Sequence, residues 1–225
     1  MLLNEDQRMI RDAVREFVRG EIAPHAARWD RESTFPAQAL AGLASLGCYG
    51  IVIPERWGGA GLDYRSLSVV LEEIAAGDGA TSTIIAVNSL ACSILLAWGN
   101  DEQKERWLRP LAAGHKLGAF CLTEPQAGSD AAALRTVAVR DGDHWVIDGV
   151  KQFITSGRTA DVAIVFAVTE RDAGKRGISA FVVPTDTPGY RVARLEEKVG
   201  QHASDTAQIA FERCRVPDAN RVGEE

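Results

Sequence analysis

One switch in hydrophobic spacing, near residue 117, constrains the fold of this chain more than any other feature. Before it, apolar side chains return at helical intervals; beyond Gly118 they alternate with polar ones in short runs rich in branched residues. Ile10, Ala13, Val14, Phe17 and Val18 form the first helical stripe. Asn4 marks its start as N-cap, with Glu5 and Asp6 in the first turn and Gln7 at the capping-box position, and Pro24 reads as its stop. A second helix is expected over 36–47 with Leu40, Leu43 and Leu46 inward, and a third on Leu67, Val70, Leu71 and Ile74, closing near Gly77. Residues 51–64 read as a loop. The run 81–98 is apolar nearly all round and predicts a central buried helix. Asn100 and Gln103 then repeat the capping pattern ahead of Trp107, Leu108 and Leu111.

In the second half, residues 137–140 and 144–147 flank Asp141-Gly142 as a hairpin, and further strands are expected over 162–169, 178–183, 190–193 and 208–211. Strands this close together, with no helices between them, exclude a nucleotide-binding βαβ sheet and predict an antiparallel barrel or sandwich. The fold class is therefore α+β and multidomain. An all-helical N-terminal domain occupies 1–117, an antiparallel β-barrel middle domain 118–217, and 218–225 begins a linker.

Composition narrows the partners. With 46% hydrophobic and 25% charged residues the chain is globular, and a formal net charge of −6 argues against nucleic acid as its main partner. An anionic ligand must meet local donors. Cys48, Cys92, Cys121 and Cys214 are too far apart for zinc or redox pairing and read as reduced, buried thiols of a cytoplasmic protein. A helix beginning at Asn4 leaves no room for a signal peptide. Thr81, Ser82, Thr83, Asn88, Ser89 and Ser93 are spread through the apolar run 79–98, which fits burial among helices better than membrane insertion.

Most candidate motifs fail on context. Gly58-Gly59-Ala60-Gly61 lacks the preceding strand and following Lys-Ser/Thr of a phosphate loop, Ser129 lacks the nucleophile-elbow frame, and His25, His115, His144 and His202 lack metal-ligand spacing. Glu124 and Asp130 read as polar turn residues, with nothing in their spacing to make them an acid/base pair. The turn 123–130, directly after the apolar residues 119–122, is different. Its small residues and free amides allow close approach of an anionic or planar group, although a decorated hairpin loop would look the same.

Longer blocks carry a resemblance. AFCLTEPQAGSDAAA over 119–133, WVIDGVKQFITSG over 145–157, GISAFVVPTDTPG over 177–189 and KVGQHASDTAQIAFERCRVP over 198–217 resemble, in order, segments of the flavin-dependent acyl-CoA dehydrogenase family. IVIPERWGGAGLDY over 51–64 and VNSL over 87–90 also fit. The resemblance implies a helical domain, a β-barrel and a C-terminal four-helix bundle, with FAD held between barrel and bundle in a homotetramer. By position, Phe120, Leu122, Thr123 and Ser129 fall where the family contacts FAD, and Ser129 also meets the CoA part of the substrate. Phe153, Ile154 and Thr155 fall on the strand beside the flavin ring, with Thr155 placed near N5; many members have Trp where this chain has Phe153. Thr83, Ala86 and Val87 fall on the helix lining the acyl pocket.

The implied reaction is α,β-dehydrogenation of an acyl-CoA thioester in fatty acid metabolism, with an electron-transfer flavoprotein as acceptor and no metal. In the family a glutamate of the bundle is the base, so the base is expected beyond residue 225 and no catalytic residue is assigned within the chain, which alone is expected to be inactive. Helices that a bundle would cover should expose an apolar face. Two other functions fit the same blocks: a non-catalytic flavin-binding or assembly subunit completed by a partner chain, and a flavin monooxygenase of the same fold.

Overall fold

The computed structural model describes residues 3–223; of the expected linker, Glu224 and Glu225 lie outside the described residues, as do Met1 and Leu2 at the other end. Helix α1 (Glu5–Phe17) starts as its sequence requires: Asn4 Oδ1 accepts the Gln7 N–H at 2.8 Å, and Gln7 Oε1 accepts the Asn4 N–H at 3.2 Å. Val14 and Val18 are buried, whereas Ala13 of the expected stripe faces solvent. Pro24 does not stop the helix. A π-helical turn (Val18–Ile22) leads into α2 (Ala23–Glu32), and Pro24 sits in the first turn of α2, where a missing N–H costs little. Helix α3 (Ala37–Ser45) buries Leu40 and Leu43; Leu46 is 44% exposed because the helix has ended and the chain turns through Gly47 at φ +74°.

Helices α4 (Tyr64–Gly77) and α5 (Gly79–Trp98) are each capped by an aspartate. Asp63 accepts the Ser66 N–H and Asp78 the Thr81 N–H, both at 2.8 Å. α5 is long and apolar enough to cross a membrane by composition, yet Ala80, Ile84, Ile85, Ala91, Cys92 and Leu95 are all buried within the protein. Its polar residues are satisfied internally: Ser89 and Ser93 donate to the carbonyls of Ile85 and Ser89. The Asn88 amide donates to Leu111 O at 3.3 Å and accepts from Gly118 N at 2.9 Å, spanning the junction between the two halves. A capping box at Asn100 opens α6 (Asp101–Gln103), and a second π turn (Lys104–Leu108) leads into α7 (Arg109–Ala112).

The sheet half contains β1 (Gly118–Cys121), β2 (Val137–Asp141), β3 (His144–Thr155), β4 (Val162–Val168), β5 (Ile178–Pro184), β6 (Tyr190–Leu195), β7 (Thr206–Pro217) and β8 (Arg221–Val222). Their order is β6-β7-β3-β2-β4-β5-β8, with β1 added on β4. The ladder is mainly antiparallel, but β1 and β2 both meet β4 in parallel, and the path does not close among the described residues. The hairpin is in place with a loop of Gly142-Asp143; only Gly142, at φ +64°, needs the left-handed region. β8 extends the sheet past Pro217 by pairing with β5. One core cluster runs from Val14 and Ile84 in the helices through Ala119 and Ile154 to Phe211 and Val216 in the sheet. All four cysteines are free and buried, and burial pushes the thiols of Cys48, Cys92 and Cys121 up to about 12. The large apolar side chains that remain exposed on the helices include Met9, Tyr64 and Trp98, and Trp98 borders a groove with Phe166 and Val222.

Candidate functional site

The turn after β1 is sewn to strand β3 by a charge pair removed from water. Lys151 has no exposed surface and Glu124 only 4%, and Lys151 Nζ lies 2.7 Å from Glu124 Oε1 and 3.1 Å from Leu122 O. The same carboxylate accepts from Gln126 Nε2 at 2.7 Å and from the backbone N–H groups of Arg135 at 2.6 Å and Thr136 at 3.0 Å. A further bond, Gln152 N–H to Thr123 O at 2.8 Å, fixes the turn directly to the strand. Burial pushes the Glu124 carboxyl up, but the hydrogen bonds from Lys151, Thr136 and Arg135 outweigh it and hold the group at about 2. Glu124 is thus a fixed anion and a poor base.

Immediately beyond Lys151, β3 bulges. Lys151 pairs with Ile209 and Ile154 with Ala207, so β3 carries one residue more than β7 across that interval. Phe153 takes up the slack at φ +59°, an unfavourable conformation for a bulky residue, and its ring is 62% exposed. The bulge turns Ile154 into the core at 1% exposure, so only its backbone can face a ligand. Thr155, half-buried, borders a cavity of about 300 Å³ together with Thr83, Lys198, Gln201, Ser204 and Thr206. The Thr83 hydroxyl lies 2.9 Å from both the Gly79 carbonyl and Gln201 Oε1.

The residues expected from the sequence fall into groups. Thr83 and Thr155 share that cavity, while Leu122 and Ser129 border a second one of about 370 Å³ with Asp130, Leu134 and Lys175. Phe120 is engaged edge-on with Phe166, ring centroids 5.3 Å apart, and Ala86 and Val87 are half-buried on α5 but line neither cavity. The hydroxyls of Thr123, Ser129 and Thr155 make no hydrogen bond within the described residues. Sequence reasoning missed Lys151 and the loop carrying Lys198 and Gln201. Lys151 did leave a signal: it shares strand parity with the inward Trp145 and Ile147, and a lysine on a core face demands a buried acid.

Comparison with known proteins shows the family of the chain. A family model of the acyl-CoA dehydrogenase N-terminal domain matches residues 4–115, and one of the middle domain matches residues 119–214. The chain belongs to the acyl-CoA dehydrogenase family. It is 43% identical over 223 residues to the mitochondrial short-chain specific acyl-CoA dehydrogenase of Rattus norvegicus, covering 99% of this chain and 54% of the rat protein. Butyryl-CoA dehydrogenase from Megasphaera elsdenii superposes with a TM-score of 0.96 at 35% identity, over 100% of this chain and 60% of that one. A glutaryl-CoA dehydrogenase from Mycobacterium smegmatis in complex with FADH2 superposes at 0.91 with 35% identity, over 97% of this chain and 55% of that one. The chain therefore spans just over half the length of the acyl-CoA dehydrogenases it matches.

Proposed function

We propose that this chain forms the flavin-facing and acyl-facing walls of an FAD-dependent acyl-CoA dehydrogenase acting in fatty acid metabolism. The observation that carries the reading is the bulge at Phe153. It sets an exposed aromatic ring, held in an unfavourable conformation, two residues before Thr155, whose hydroxyl lacks an intramolecular partner. The donor set fits a flavin. Phe153 offers an aromatic face for a planar ring system, Thr155 a hydroxyl for a ring-edge nitrogen, and Ser204, whose buried Oγ has no partner among the described residues, borders the same cavity.

When bound, FAD supplies the acceptor for the hydride leaving the acyl β-carbon. The chain's own residues bind and orient. Thr123 and Ser129 present hydroxyls from a turn that Glu124 and Lys151 keep rigid, and preformed donors of this kind need no rearrangement as charge develops. Thr83 on α5 contributes to the wall of the same cavity as Thr155. No carboxylate borders the Thr155 cavity among the described residues, and we assign removal of the α-proton to a carboxylate outside them.

We further infer an electron-transferring flavoprotein as electron acceptor, a homotetrameric assembly and a cytoplasmic location; the first two rest on the family, the last on four buried, unpaired thiols. The test is direct FAD binding. Titrating FAD into the purified chain and into Phe153→Ala and Thr155→Val should show flavin fluorescence change in the wild type and weaker binding in both variants. Equal binding by all three would remove the bulge from the flavin site.

A further inference from the structure

One histidine is held in a way that fixes its charge. His202 Nδ1 lies 3.0 Å from Asp30 Oδ1 and Nε2 lies 2.6 Å from the Lys198 carbonyl oxygen. Carboxylate and carbonyl oxygens only accept hydrogen bonds, so both ring nitrogens must donate. A neutral imidazole has a single N–H and would set one nitrogen lone pair against an oxygen lone pair; the imidazolium satisfies both contacts. The His202 backbone N–H also donates to Asp30 Oδ1, at 2.8 Å.

The contact joins distant parts of the chain. Asp30 lies in the last turn of α2, where the helix dipole favours a cation, and His202 lies in the loop between β6 and β7. That loop is the wall of the Thr83–Thr155 cavity, contributing Lys198, Val199, Gly200, Gln201 and Ser204. Its path is unfavourable in isolation, since Gln201 sits at φ +55° while its side chain reaches Thr83. Lys198 tightens it from within, donating to Gln201 O and Thr206 Oγ1, each at 3.0 Å, and to Ser204 O. Nothing on the helical side holds the loop by charge except Asp30 among the described residues.

We propose that His202 is a positioning residue: as an imidazolium between Asp30 and the Lys198 carbonyl, it clamps the 198–206 loop to the helical domain and sets the wall of the Thr83–Thr155 cavity. Its consequence for binding rests on the reading of that cavity as part of the flavin and acyl-CoA site. The charged groups facing the ring are Asp30 from α2 and Lys198 from its own loop, and they oppose each other. The hydrogen bonds to Asp30 and to the Lys198 carbonyl prevail and raise His202 above its ordinary value, while the backbone and ring donors of His202 lower Asp30. The signs define a window. A raised histidine stabilises fully below its ordinary value and loses that contribution as pH rises through the folded value; a lowered aspartate contributes above its ordinary value and fails only in stronger acid. The clamp is closed below the ordinary histidine value and opens as pH rises through the raised folded value.

Two measurements on the full chain test it. In ¹⁵N-detected NMR, both ring nitrogens of His202 should be protonated at and below the ordinary histidine value, its titration should lie above that value, and Asp30→Asn should bring it back down. The Gly200 and Gln201 amides should titrate with the same midpoint in the wild type and stay still in His202→Arg, which keeps the charge at every pH. FAD affinity should weaken severalfold across that midpoint in the wild type, be flat with pH in His202→Arg and be weak throughout in His202→Gln. An ordinary His202 titration, or amides that move identically in His202→Arg, overturns the clamp. If the NMR behaviour holds while FAD affinity ignores the titration in every variant, the clamp stands and the assignment of this cavity to flavin falls.

Discussion

The two halves of the molecule place their polar side chains by different rules. In the helical half, four helix starts are fixed by bonds three residues long: Asn4 to Gln7, Asp63 to Ser66, Asp78 to Thr81 and Asn100 to Gln103. In the sheet half the decisive bonds span the chain. Glu124 meets Lys151 across 27 residues, and Arg158 and Thr159 meet Asp205 across more than 40. Backbone strain follows the same division, for Ser33 is the single non-glycine residue at positive φ described in the helices, against Phe153, Ser156, Gln201 and Arg213 in the sheet. Local bonds shape elements; long ones shape the site, and there the fold tolerates conformations it avoids elsewhere.

The contrast is broken most severely at the buried pair. Lys151→Met leaves Glu124 charged and without its main partner, and should cost about 3–5 kcal/mol in urea unfolding. Adding Glu124→Gln to the same chain should recover part of that loss, because a neutral amide tolerates the site better; no recovery would mean the charge is not the problem. Acid probes the pair without mutation. Glu124 falls from an ordinary 4.5 to about 2 in the fold, so its contribution is complete above the ordinary value and disappears as pH drops toward the folded one. Stability measured down to that pH should therefore fall more steeply in the wild type than in Glu124→Gln/Lys151→Met.

A helix cap should matter less than the ion pair. Asp78→Ala removes the acceptor for the Thr81 N–H and hydroxyl at the head of α5, and should cost about 1 kcal/mol, within a range of roughly 0.5–2. A cost equal to that of Lys151→Met would erase the distinction between local and long bonds. The bulge sharpens it from the other side. Phe153→Gly relieves the left-handed strain while giving up an exposed ring, so it should leave stability unchanged or raise it by up to about 1 kcal/mol, and weaken FAD binding. Loss of stability in that variant would show that the ring packs. Smallest of all, Thr155→Val removes a hydroxyl with no internal partner; stability should hold and flavin affinity should drop by about 0.5–1.5 kcal/mol.

Legibility from sequence tracks the same division. The Asn4 and Asn100 capping boxes, the Gly142 hairpin and the burial of α5 were all readable, since each is encoded within a few neighbouring residues. Pro24 was misread as a stop because a π turn, invisible to periodicity, delivers it into the first turn of the next helix. The parallel seating of β1 on β4 depends on contacts 44 residues apart that leave no local mark. At the site, blocks of sequence similarity led to Thr83, Thr155, Leu122 and Ser129, which the fold brings together in pairs. The Glu124–Lys151 pair and the His202–Asp30 contact lie across the chain, and in sequence each appears as an ordinary polar residue.

Asn88 has a consequence for how such a protein can be rearranged. A single amide on the central helix grips the backbone just before and just after the point where hydrophobic periodicity changes. The pattern divides there, but the matter does not. A recombination event or protease cut at residue 117 would strand that amide and split a continuous apolar interior, leaving two halves that each solvate what the other had kept dry. Exchange of either half between relatives would therefore require the incoming surface to match the helix it lands on.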